Sequence, residues 1–295
     1  MAVDQSVNGI KRATQQRLQY IELMAYYTGV VTRSDVARAF GISDAAATKD
    51  LKFYSQIAPD NLIYKHNVFG FVPSARFEEM FTDLEPRHVL PMITANLPFV
   101  GESAEHNPIY GFNTEKLPLP QRLPTKEVLA QIIRSIKQKT KLEVVYSSLS
   151  DRESSASRII EPHSLVNNGL RWHVRAYSEE TYDFRDFVLS RIQQARQLNE
   201  KAESKPEYDD DWMELINLKL IPHPGLSETK RQTLLTDYAA IDEVIEINVR
   251  RALLGYVLQQ LSVDTTADHS LNPNAYQLVV FNRDEIEPFA GWAFL

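Results

Sequence analysis

At 295 residues, with 43% hydrophobic and 10% aromatic side chains, the chain has apolar material for two or three cores and is not disordered. The absence of cysteine excludes disulfides and thiolate metal sites, and fits a reducing cytoplasm. The net charge of −7 excludes a uniformly basic protein, yet residues 1–76, 77–125, 126–198 and 199–295 carry +3, −4, +3 and −9, so a polyanion would meet the first and third segments.

Residues 9–27 are expected to form a helix, with Leu18, Ile21, Leu23, Met24, Tyr26 and Tyr27 as its apolar stripe and Gly29 as its stop. Thr32 caps a second helix, Arg33 to Phe40, and Gly41-Ile42 turns into a third, capped by Ser43 and running from Asp44 to Gln56. Two short strands follow, 61–64 and 68–72, joined by Lys65-His66-Asn67 and closed by Pro73. This order is that of a winged helix-turn-helix. On the third helix Ala47 and Leu51 face the core, leaving Asp44, Ala45, Thr48, Lys49 and Lys52 outside. Thr48 and Lys49 are placed to read base edges, with small Ala45 permitting close approach. Arg33, Ser43, Lys52 and Tyr54 suit phosphates, and Lys65, His66 and Asn67 suit backbone or minor groove. A three-helix protein-interaction module with a mixed-charge face is the alternative; Asp44, which phosphate repels, keeps it open, unless as a DNA-binding residue its carboxylate accepts from a cytosine amine.

Residues 77–125 read as a packed linker. Helical character is expected over 76–84, and the seven prolines between 86 and 124 argue against any continuous helix beyond it. Leu97-Pro98-Phe99-Val100 and Ile109-Tyr110-Gly111-Phe112 are apolar enough to lie on a neighbouring domain.

Thr125 then caps a helix to Lys139, which leads into a strand over 142–148. Asn167-Asn168-Gly169 is a hairpin turn, and Arg171 to Tyr177 alternates, with Trp172, Val174 and Ala176 on one face and Arg171, His173, Arg175 and Tyr177 on the other. A further run, Phe184 to Ile192, adds Arg185 and Arg191 with imperfect alternation that a bend or bulge would explain. Arginines in this number read either as a solvated face or as an anion-binding surface, because the guanidinium fork matches phosphate and carboxylate.

After Leu198, an acidic linker from Glu200 to Asp211 precedes a strand–helix–strand–helix–strand order over 215–221, 227–238, 244–249, 252–261 and 276–281, a small α/β domain. The last residues, Phe289 to Leu295, are too apolar to dangle and should dock on a partner subunit or on their own domain.

No enzyme chemistry is evident, and no cofactor is expected. The seven histidines include no pair three or four residues apart, and the ten glycines form neither a dinucleotide fingerprint nor a phosphate loop. No Gly-x-Ser-x-Gly appears either. No apolar run approaches a membrane span and no signal pattern opens the chain, so a cytoplasmic location away from membranes is expected.

Several motifs together carry a resemblance: Val145-Tyr146-Ser147-Ser148, Arg158-Ile159-Ile160-Glu161-Pro162-His163-Ser164-Leu165, Gly169 before Trp172-His173-Val174, and Phe184-Arg185-Asp186-Phe187-Val188-Leu189-Ser190-Arg191-Ile192. Over residues 126–195 this resembles the WYL domain, with His173 departing from the family's usual tyrosine. The resemblance implies a Sm-like β-barrel, with Trp172 packed inside. It also implies a pocket for a nucleotide or oligonucleotide effector at Tyr146, Ser148, His163, His173, Arg175, Arg185 and Arg191. Ser43 to Leu51 resembles the recognition-helix start of regulators that precede such domains, and the last part resembles a dimerising extension. The layout is similar to the BrxR/CapW group of phage-defence repressors.

The expected fold is therefore α+β and multidomain: winged helix over 1–76, linker over 77–125, WYL domain over 126–198, and dimerisation domain over 199–295. The expected function is a homodimeric repressor bound to double-stranded DNA at an inverted repeat. A WYL-type activator and a single-strand-binding adaptor are the alternatives.

Overall fold

Helix α1, Arg12–Thr28, forms because Leu18, Ile21 and Ala25 recur along one face, and all three are buried. This computed structural model describes residues 9–95, 110, 112, 117–149 and 156–294. The chain divides into two units, residues 1–118 and 119–295.

In the first unit, Gly29 ends α1 in the left-handed conformation, φ 76°. Helix α2, Arg33–Phe40, opens on a reciprocal cap: the Thr32 hydroxyl accepts from the Asp35 amide, and the Asp35 carboxylate accepts from the Thr32 amide. Helix α3, Asp44–Ile57, is capped by Ser43 and buries Ala47, Asp50, Leu51 and Tyr54. Strands β1 (Leu62–Lys65) and β2 (Gly70–Pro73) pair antiparallel, and Val31 bridges to Phe71 beside them. Gly70 permits this approach, since a Cβ there would stand 2.7 Å from the Val30 side chain.

The helix expected over 76–84 does not form. Glu22, fully buried on α1, accepts from the backbone amides of Met80, Phe81 and Thr82 through Oε1, at 3.0, 2.9 and 3.0 Å. Those amides are thereby held in an irregular segment. A helix appears instead at α4, Pro86–Ala95. Pro86 tolerates its first position because no amide is needed there, although Pro91 lies within it, against expectation. Tyr110 stacks on Tyr20 at 5.6 Å and Phe112 packs on the same core, whereas residues 97–100 and 109 lie outside the described residues.

In the second unit, Thr125 caps α5, Lys126–Gln138, whose Val128 and Ile132 lie on a five-stranded antiparallel sheet. Its strands are β3 (Thr140–Tyr146), β4 (Ala156–Asn167), β5 (Trp172–Ser178), β6 (Asp183–Val188) and β7 (Ile192–Lys201), in the order β6-β5-β4-β3-β7. Among the described residues the edges β6 and β7 do not pair, so the sheet is open where a closed barrel was expected. A 3-10 turn at Leu189–Arg191 separates β6 from β7, which accounts for the broken alternation in that run. The β4–β5 register passes from Pro162↔Ala176 to Ser164↔Arg175, leaving His163 as a bulged extra residue.

Burial on β5 differs from the expected one-sided pattern. Val174 and Ala176 enter the core, but His173 and Arg175 on the opposite face are buried as well. Trp172, expected inside, sits at the strand's start and is 38% exposed. The stretch expected as an acidic linker is tied down: Glu161 accepts from the amides of Glu203 and Ser204, and Asp209 is buried.

The remaining elements are α6 (Asp210–Met213), β8 (Leu215–Pro222), α7 (Glu228–Asp237), β9 (Ile245–Arg250), α8 (Leu254–Gln260), β10 (Val263–Asp264), β11 (Leu278–Val280) and α9 (Arg283–Ile286). The sheet order is β10-β11-β8-β9, with only the β10–β11 pair parallel. Leu218, Leu220, Leu254, Leu258 and Leu278 fill its core, and Ala290 and Phe294 of the final segment dock on it.

Candidate nucleic-acid interface and ligand site

The outer face of α3 presents Asp44, Ala45, Lys49 and Lys52 to solvent, with Thr48 half-buried. Ser43 spends its hydroxyl on the cap, accepting from the Ala46 amide at 3.3 Å, and the Thr48 hydroxyl donates to the Asp44 carbonyl at 2.8 Å. Arg33 and Asp44 form an exposed ion pair at 3.2 Å, which offsets the carboxylate at the start of the helix. Lys65, His66 and Asn67 are exposed on the β1–β2 connection. Tyr54 is the exception among the residues expected to face nucleic acid. It is fully buried and its hydroxyl donates to Glu22 Oε2 at 2.8 Å, which takes it out of reach of a phosphate.

In the second unit the expected ligand residues fall into two groups. His163 and Arg175 belong to a buried polar cluster. Arg175 Nε and Nη2 donate to Asp209 Oδ2 and Oδ1 at 2.7 and 2.8 Å, a bidentate pair, and His163 Nε2 lies 3.1 Å from Asp209 Oδ2. Burial by itself would raise the Asp209 carboxyl, but hydrogen bonds from Arg175 and His163 and the charge of Arg175 hold it well below the ordinary carboxylate range. Asp186 stands 3.6 Å from Arg175 and accepts from the Tyr256 hydroxyl at 3.0 Å. Burial pushes that carboxyl up despite Arg175.

His173 belongs with a different set of cations. Its Nε2 accepts from Arg171 Nε at 3.1 Å, its ring lies 5.0 Å from that of Tyr256, and its buried Nδ1 has no hydrogen-bond partner. Burial, then Arg171, Arg191 and Arg122 push the imidazole down to about 4. Arg171 is itself lowered by burial and by Arg122 and Arg191. Among the described residues none of these three arginines pairs with a carboxylate, in contrast to Arg175. Like charges gathered without counter-ions favour an anion.

Of the other expected residues, Tyr146 is buried, with its hydroxyl accepting from the Val188 amide at 3.3 Å. Ser148 and Arg191 are half-buried and Arg185 is exposed. Arg171, expected on the polar face of the strand, stands just before β5, whereas nothing in the sequence pointed to Arg122, which acts on Arg171 and His173 from outside the sheet. Among the described residues no trio of His, Asp or Glu is disposed to hold a metal, and no helix is long and apolar enough to cross a membrane.

Residues 13–95 match the BrxR winged helix-turn-helix domain, 127–197 the WYL domain, and 215–286 the BrxR C-terminal dimerization domain. A DNA-binding transcriptional repressor CapW of Escherichia coli is 35% identical over 286 residues, 94% of this chain and 92% of its own length. This chain belongs to the BrxR/CapW family. Other CapW repressors, from Pseudomonas aeruginosa and Stenotrophomonas maltophilia, are 31% and 28% identical over 95% and 94% of the chain, each along 92% of its own length. The three family regions fall on the helical head, the five-stranded sheet with its helix, and the four-stranded sheet, so the BrxR/CapW domain order is the order seen here.

Proposed function

We propose that this protein is a homodimeric transcriptional repressor of the BrxR/CapW type, acting in the cytoplasm on the operator of a phage-defence locus. Residues 1–76 are the reading head, 77–125 the linker, 126–198 the sensor and 199–295 the dimerising part. Two copies of α3 enter successive major grooves of an inverted repeat, about 34 Å apart. Thr48, Lys49 and Ala45 meet bases, while Arg33, Ser43, Lys52, Lys65, His66 and Asn67 meet backbone. A nucleotide or oligonucleotide lodges its phosphates among Arg171, Arg191 and Arg122 beside His173, with Arg185 and Ser148 at the margin. That ligand favours a dimer geometry in which the two reading heads no longer match the operator, through differential affinity for the two states.

The observation that carries this reading is the pair of lysines, Lys49 and Lys52, exposed on the outer face of a capped helix whose acidic residue there, Asp44, is held by Arg33. The test is anisotropy with duplex DNA from upstream of the protein's own gene across a salt series. Lys49→Ala with Lys52→Ala should lose at least tenfold in affinity and flatten the log–log salt slope by about 2. Equal binding by this variant, or binding to single strands alone, overturns the proposal.

A further inference from the structure

At the tip of the wing an aromatic ring stands in water. Phe69 is 79% exposed and makes no ring contact among the described residues. Its backbone is left-handed, φ 48° and ψ 33°, where it closes the 3-10 turn His66–Val68. A bulky side chain in that region costs about 1–2 kcal/mol, and glycine or asparagine would take the position with less strain. The adjacent Gly70 does not relieve it, because Gly70 is needed for close approach to Val30. Two costs, strain and exposed apolar surface, thus meet at one residue of a turn that has no folding use for a ring.

The surroundings define what such a ring would meet. Val68 and Tyr64 are exposed next to it, 41% and 44%, and Lys65, His66 and Asn67 are exposed on the same turn. The Tyr64 ring is held by His66 and Phe71, each edge-on at 5.0 and 5.2 Å, so of these two exposed rings Phe69 is the one with no ring neighbour among the described residues. An apolar tip that carries Lys65 and the hydrogen-bonding side chains of His66 and Asn67 fits a polyanion with an apolar recess, which is the minor groove of duplex DNA with its deoxyribose walls. The same unit presents Lys49 and Lys52 on the exposed face of α3, and a second copy would bring its own Lys65 to the tip. We propose that Phe69 is a wedge that the wing presses into the minor groove, packing on sugar or between base steps. Specificity then arises at flanking positions that no polar side chain reads, through preference for steps that open easily, such as TA and CA/TG. This rests on the DNA-binding reading above.

The test uses the full chain with Phe69→Asn and Phe69→Leu. Asparagine suits the left-handed backbone, so a loss of binding by that variant is not a loss of fold, which thermal melting checks. Phe69→Asn should weaken upstream duplex binding about tenfold, reduce protein-induced bending measured by energy transfer, and leave the salt slope unchanged. Phe69→Leu should retain most of both. Replacing flexible steps at the flank by an A-tract should weaken the wild type and leave Phe69→Asn indifferent. Wild-type affinity and bending in Phe69→Asn overturn the wedge while leaving the DNA-binding reading intact. Failure of the wild type to bind duplex removes both, and loss of the dimer in sedimentation of Phe69→Asn assigns the ring to a second copy and overturns the wedge.

Discussion

Arg175 and Asp209 join the WYL sheet to the segment that leads into the C-terminal sheet through two parallel hydrogen bonds, 2.7 and 2.8 Å long. Both side chains are almost wholly out of water, at 6% and 1% exposure. The bond is therefore a buried ion pair, whose net worth against an apolar pair is small but whose rupture is expensive. Asp209 also caps α6 by accepting from the Trp212 amide at 3.1 Å, so the same carboxylate sets the direction in which the chain leaves the sheet. Two and five residues after Asp209, Asp211 and Glu214 pair with Arg251, extending the polar seam toward the dimerisation domain.

Breaking that pair from either side should destabilise the second unit by about 3–5 kcal/mol. Arg175→Ala leaves Asp209 buried with His163 as its remaining side-chain partner, and Asp209→Ala leaves a buried guanidinium with only the longer contacts to Asp186 and Asp211, each 3.6 Å. The double variant should lose less than the sum, since neither member of the pair is then stranded, although Asp186 still loses its cation. Chemical denaturation of the three variants measures this. The acid limb follows from the depressed Asp209 carboxyl: its contribution is fully present above the ordinary aspartate value, about 3.9, and lost only as pH falls below it. Additive losses in the double variant would argue against the pair.

His173 predicts a second, milder acid sensitivity. The imidazole is pushed down to about 4 from its ordinary 6.5, chiefly by burial, then by Arg171, Arg191 and Arg122. The unfolded chain thus takes up a proton below pH 6.5 that the folded chain refuses. Stability from this group is complete above pH 6.5 and drains away as pH falls toward 4, to at most about 3 kcal/mol. Asp186, raised by burial, acts in the opposite sense, and the Tyr256 ring lies against the imidazole without a charge of its own. The difference between wild type and His173→Gln isolates the effect: melting temperature should fall from pH 7 to pH 5 more steeply in the wild type. Parallel pH profiles would sink the argument.

How much of this the residues announced depends on whether the deciding contact was local. Thr32 with Asp35, Ser43, Thr125 and the periodic apolar stripes place the helices of the head and α5, because caps and spacing act within one turn. The 76–84 segment is irregular although its spacing is helical, because its amides are captured by Glu22, some 58 residues away along the chain. Arg175 looked like a solvent-facing or ligand-facing arginine by strand parity. Its partner Asp209 lay 34 residues on, inside what composition alone marked as an acidic linker. Lys49 and Lys52 were legible because a helix face follows from spacing. Arg122 was not, because its approach to Arg171 and His173 comes from tertiary packing.

Glu22 supplies the third prediction. One carboxylate oxygen serves three backbone amides, and the other accepts from the Tyr54 hydroxyl. Burial raises its pKa, which the amides and the hydroxyl counter. Glu22→Ala strands those donors and should cost at least about 3 kcal/mol, with new protease cleavage between residues 78 and 84. Glu22→Gln keeps a carbonyl for the three amides and turns an amino group toward an oxygen able to accept, so its cost should be well under half as large. Equal losses in the two variants would mean that the carboxylate's charge, not its geometry, holds the segment.

Gly255 on α8 sets two effects against each other. Alanine in place of glycine within a helix ordinarily stabilises by about 1 kcal/mol. Here its Cβ would stand 2.3 Å from Cζ2 of Trp292 and 2.9 Å from Cη2, so the indole must move. Trp292 is 59% exposed and belongs to the final segment; among the described residues its one ring contact is with Tyr256, ring centres 5.4 Å apart. The ring therefore has room to swing into water, and the lost contact roughly offsets the helical gain. Gly255→Ala should fold with a stability change under about 1 kcal/mol. With Trp172 and Trp212 replaced by phenylalanine, its emission should shift to the red as Trp292 leaves Tyr256. Severe destabilisation with unshifted emission would mean instead that the indole cannot yield, and that the carboxy-terminal segment is anchored far more firmly than its exposure implies.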